Sequence, residues 1–71
     1  MNWTPDALDR LERAIDAGSR VRLHRRGTEF VVVPQGLRMD YGGEVLTARH
    51  TGTGDRLEFG LAEIEAFAVL D

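Results

Sequence analysis

A chain of 71 residues with a net charge of −3 and no cysteine describes one small domain with a thin core, because a chain of this size buries only ~60% of its unfolded surface. The missing cysteines exclude disulfide staples and thiolate–zinc sites, so stability must come from packing or from a partner. No stretch approaches the ~20 apolar residues of a membrane helix, and Asp6, Asp9 and Glu12 interrupt any early apolar run that a leader would need; we therefore expect a cytoplasmic protein with no membrane partner.

The charge is unevenly spread. Residues 1–19 and 51–71 are net acidic, whereas residues 20–50 carry Arg20, Arg22, Arg25, Arg26, Arg38 and Arg49 against only Glu29, Asp40 and Glu44. A basic middle between acidic ends points to an anionic partner or to a mixed solvated surface.

The first element is a helix over residues 5–17. Thr4 is suited to the N-cap and Pro5 to the first helical position. Trp3 and Leu8 have the spacing of a hydrophobic staple. Ala7, Leu8, Leu11, Ala14 and Ile15 share one face, and Gly18 is a natural terminator.

Beyond Gly18 the period changes to two. "RVRLHR" alternates, with Val21 and Leu23 on one face and Arg20, Arg22 and His24 on the other. Arg25 and Arg26 fall in the turn with Gly27. "TEFVVV" reads as a more buried strand, and Pro34 and Gly36 as a bend or bulge. "GLRMDY" reads as a further strand with Leu37, Met39 and Tyr41 on one face; Met39 is assigned to the core, and Tyr41 to either core or groove. Gly42-Gly43 turns into "EVLTARH", where Leu46 and Ala48 point inward. "TGTGD" makes a hairpin loop, "RLEFGL" puts Leu57, Phe59 and Leu61 on one face, "AEIEA" is a single helical turn, and "FAVL" is the last strand. The expected fold is mainly β with an N-terminal helix: one domain over 1–71, with a five-stranded antiparallel barrel over about 20–70. Closure would remove the bare edges that so many short strands otherwise expose.

Five stretches in this order, "AIDAG", "RVRLHRRG", "VVVPQGL", "GGEVLTARH" and "DRLEFGLAEIEAF", resemble the WYL domain, an Sm-like, SH3-like small barrel attached to many bacterial transcription regulators. The match rests on Ala14, Ile15, Pro34, Leu37, Leu46, Ala48, Phe59, Leu61 and Ile64. The resemblance implies that barrel and a regulatory, non-enzymatic role. Glu44 and Val45 stand where the family has its signature tryptophan and tyrosine. Leu57 stands where the family has a ligand-contacting arginine, Arg56 being one residue off, and Glu63 where a second arginine commonly lies. The matched positions are those that build the barrel; those that bind the family's ligands are changed.

Among chemistry-bearing residues, the candidates for anion or nucleic-acid binding are Arg20, Arg22, His24, Arg25 and Arg26, with Arg38 and Arg49. Guanidinium groups suit phosphate bidentately. The competing reading is a solvated outer face, with some of these arginines paired to Asp40, Glu44 or Glu58 on neighbouring strands. His24 and His50 would need to converge with a carboxylate to hold zinc, and they read instead as exposed strand residues. Ser19 lacks a nucleophile elbow and reads as a cap or turn residue. No catalytic residue, cofactor or metal is expected. The leading expectation is a small binding module with a protein partner or a second copy of itself, engaged through an exposed face or edge. The alternative is a nucleotide or single-stranded nucleic acid bound by the arginines.

Overall fold

The computed structural model describes all 71 residues. The helix α1 (Pro5–Ala17) is followed by β1 (Val21–Arg25), β2 (Thr28–Asp40), β3 (Gly43–His50), β4 (Arg56–Gly60), a 3-10 turn (Leu61–Glu63) and β5 (Ile64–Val69). The fold is mainly β with one N-terminal helix.

Local chemistry sets the ends of α1. The Thr4 hydroxyl accepts from the Ala7 N–H at 3.1 Å. Gly18 adopts φ +67°, and the Gly18 and Ser19 N–H groups bond back to the Ile15 and Ala14 carbonyls, closing the helix as glycine terminators do.

All strand pairs are antiparallel, and the sheet order is β4-β3-β2-β1-β5. No ladder joins β4 to β5, so these are the two edges. "TEFVVV" and "GLRMD" form one long strand and not two. Pairing with β3 continues across Pro34 and Gly36, where the register shifts. Proline lacks a ladder donor, so the chain bulges there without ending the strand. The helical turn expected around "AEIEA" is shorter than predicted: Leu61–Glu63 form it, and Ile64 already pairs with Arg25 in β5.

The core joins Leu11 and Ala14 of α1 to Val21, Leu23, Val32, Leu46, Ala48, Phe59, Leu61 and Ile64. The inward assignments of Val21, Leu23, Leu46, Ala48, Phe59 and Leu61 all hold. Met39 does not belong to the core and is 70% exposed, while Tyr41 is wholly exposed. Both have a geometric cause. Leu37 is the last residue of β2 packed against the core; Met39 pairs with Glu44 in the overhanging end of the β2–β3 hairpin, and Tyr41 sits in its turn.

Candidate functional site

The seven residues singled out as an anion site are spread over several places. Arg20 Nε lies 3.4 Å from the Asp71 carboxylate. Arg22 and His24 share the face of β1 expected of them, and they also share Glu29, at 3.8 and 3.1 Å. Arg26, in the β1–β2 turn, pairs with Glu63 at 3.0 Å. Arg38 holds the two carboxylate oxygens of Glu58 at 3.0 and 3.2 Å and lies 3.7 Å from Asp40. Arg49 donates to the Gly54 carbonyl at 2.6 Å. Arg38 stands opposite Val45 and Arg49 opposite Val33, beside its own place in β3; four residues of strand separate them, about 13 Å. Arg20, Arg22, His24, Arg26 and Arg38 thus each face a carboxylate.

Arg25 differs from its neighbours. It is the last residue of β1 and not part of the turn. Its guanidinium lies over the Phe59 ring at 4.7 Å and the Phe30 ring at 5.1 Å. Its Nη1 donates to the Glu58 carbonyl at 3.2 Å. The register shows which carbonyl this is. His50 N–H bonds to the Asp55 carbonyl, so the pairs Ala48–Leu57 and Leu46–Phe59 are the hydrogen-bonded ones in this ladder. The backbone of Glu58 therefore faces away from β3, toward the free edge. Arg25 caps that edge at its midpoint.

The β5 edge is different. Leu70 N–H bonds to the Arg20 carbonyl, which makes Arg22–Ala68 and His24–Ala66 the hydrogen-bonded pairs with β1. The N–H and C=O groups of Phe67 and Val69 point outward from the sheet. The N-terminal ammonium occupies the Ile64 carbonyl at 3.0 Å, but beyond it "EAFAV" contains one charge and no proline. Natural edges are usually guarded by charges, prolines or bulges; from Ala66 to Val69 this one has no such guard.

Grooves flank β5 on both sides. On one side Arg22, His24, Ala66, Phe67 and Ala68 line a shallow cleft of about 210 Å³. On the other, Arg10, Arg13, Ala14 and Ala17 of α1 face Val69 across a groove of about 330 Å³. Trp3 anchors α1 beside this edge: its Nε1 donates to the Leu61 carbonyl at 2.8 Å, and its ring lies 5.4 Å from that of Phe67.

No group of three or more His, Cys, Asp and Glu side chains is arranged to hold a metal ion, and no helix is long and apolar enough to cross a membrane. His50 has a structural task that its sequence context does not announce. Its Nδ1 accepts the N–H groups of Gly52 and Thr53 at 3.0 and 3.2 Å, shaping the β3–β4 loop. Comparison with protein-family models, with curated proteins and with solved structures gave no match.

Sequence reasoning missed the β5 edge as a site. Its signal was present as a run of small and apolar residues without a guard, but which backbone groups face outward follows only from the register with β1.

Proposed function

We propose that this chain is a non-enzymatic binding module that takes up an extended polypeptide segment by strand addition at the β5 edge. The observation that carries this reading is the contrast between the edges: β4 is capped by Arg25 at Glu58, whereas Phe67 and Val69 offer unpaired backbone groups on β5. Main-chain hydrogen bonds would supply affinity, and the groove between α1 and Val69 would receive side chains of the added segment. The resemblance to the WYL barrel adds a regulatory setting, in which the module works beside a separate DNA-binding protein.

The alternative reading, a nucleotide or single-stranded nucleic acid, draws support from the cleft containing Arg22 and His24. Against it stands Glu29, which already engages both side chains. A phosphate ligand would have to displace that carboxylate, and its binding would weaken steeply with salt.

One titration separates the two. Amide shifts are followed in labelled protein as an extended peptide of alternating valine and threonine is added, and separately a short oligothymidylate. Strand addition predicts peptide-induced shifts at Phe67 and Val69 that persist at high salt. Shifts confined to Arg22, His24 and Arg26, produced by the oligonucleotide and lost in salt, would establish the alternative instead.

A further inference from the structure

Resting on the edge reading above, we infer that the segment taken up by β5 is β5 of a second copy of this chain, giving a two-fold dimer with its axis at Phe67. A closed dimer needs a surface that complements itself. An antiparallel pairing of β5 with its own copy meets that condition, because the outward groups of Phe67 in each strand bond to those of Phe67 in the other. In this register Val69 stands opposite Glu65 of the second copy, and Ala66 opposite Ala68.

Two features of the structure favour this occupant. The first is the guard on β4. A head-to-tail assembly would join β4 of one copy to β5 of the next, and Arg25 already holds the Glu58 carbonyl that such a joint requires. The unguarded edge is left to pair with itself.

The second is charge. The outer face of the proposed seam holds only alanines, Ala66 and Ala68, so no like charges meet there. On the other face α1 runs beside the edge, with Arg10 over the Phe67 ring and Arg10 and Arg13 in the groove with Val69. Asp6 and Asp9 precede them, paired to them at 3.6 and 2.9 Å. The two-fold that makes the strands antiparallel makes the helices antiparallel as well. Asp6 of one helix then lies toward Arg13 of the other, while each Arg10, over Phe67 at the axis, faces its own copy with Asp6 of its own helix beside it.

The test is sedimentation equilibrium on the whole chain up to millimolar concentration, for the natural sequence and two variants. Val69→Pro removes an N–H that faces the edge and not β1, so it leaves the β1–β5 ladder intact. Ala66→Lys puts a charge at the seam on an exposed position. The natural chain is expected to dimerise reversibly. Val69→Pro removes two symmetry-related hydrogen bonds, which raises the dissociation constant roughly tenfold or more, and Ala66→Lys weakens it comparably. In a mixed labelled sample an intermolecular contact between the α-protons of Ala66 and Ala68 marks the register. A dimer unaffected by both folded variants would overturn the inference. A strict monomer would overturn it too, and the peptide titration then tells the two failures apart: shifts at Phe67 and Val69 leave the edge reading standing with a different occupant, and their absence removes both.

Discussion

The guanidinium of Arg25 reaches from the end of β1, the fourth strand in the sheet order, to the backbone carbonyl of Glu58 on β4, the first, at 3.2 Å. Between them it covers the edge-on pair Phe30 and Phe59, whose ring centroids are 5.2 Å apart. One side chain thus combines two cation–π contacts with a charge-assisted hydrogen bond to an edge carbonyl. We expect Arg25→Ala to lower stability by about 1–2 kcal/mol, a Tm decrease on the order of 10 °C for so small a domain. Arg25→Lys should recover less than half of this, since a point charge does not reproduce the flat stacking. Chemical denaturation of the three proteins checks it; an unchanged midpoint in Arg25→Ala would show that the contact contributes nothing.

Trp3 ties the start of α1 to the sheet by a hydrogen bond to Leu61 and by packing on Phe67. Trp3→Phe keeps most of the packing and loses the bond, for a cost of ~1 kcal/mol. Trp3→Ala loses both, for ~2–3 kcal/mol. Thermal melts followed by circular dichroism measure the series, and a Trp3→Phe variant as stable as the natural chain would mean that the hydrogen bond carries none of it.

Arg26 adopts φ +51° and Gly27 φ +75° between the paired residues Arg25 and Thr28. This is a two-residue hairpin turn of the kind that favours Asn-Gly. The Arg26–Glu63 ion pair is exposed and contributes little. Arg26→Asn should therefore raise stability by ~0.5 kcal/mol, even though it deletes one of the candidate anion-binding residues. A loss of more than ~1 kcal/mol in urea denaturation would contradict this, because it would make the ion pair worth more than exposed pairs are.

Backbone N–H groups can only donate, so the two that reach His50 Nδ1 require that nitrogen to accept. The neutral ring must carry its hydrogen on Nε2. Nitrogen chemical shifts of the ring at neutral to mildly alkaline pH report the tautomer directly. His50→Ala should leave the core intact and increase amide exchange at Gly52 and Thr53, and a ring found with its hydrogen on Nδ1 would contradict this loop geometry.

The helix and the inward faces of the strands were legible because both obey simple periods. Thr4, Pro5 and Gly18 mark the ends of α1, and alternation in "RVRLHR" and "RLEFGL" places Leu23 and Phe59 in the core. Met39 misled because alternation specifies a face, not how far the core extends; its hairpin overhangs the packed region. Pro34 and Gly36 do mark a bulge, as expected, but the strand continues through it, absorbing the lost ladder bond as a register shift, so that two expected strands are one. Strand pattern already offers Asp40 and Glu58 as acid partners, and Arg38 pairs with both. Glu29 lies across the same hairpin from Arg22 and His24. The pairs Arg20–Asp71 and Arg26–Glu63 join residues far apart in the chain and leave no local trace. The contrast between the two edges depends on strand order and on which pairs exchange hydrogen bonds, neither of which the sequence spells out.

Strand addition requires a free β5 edge, and residue-resolved hydrogen exchange on dilute protein measures this most directly. Amides of Ala66, Ala68 and Leu70, bonded to β1, should be protected, and those of Phe67 and Val69 should exchange at nearly the rate of an unstructured chain. Strong protection of Phe67 and Val69 in the dilute monomer would show that another part of the fold already covers this edge, and would contradict strand addition there.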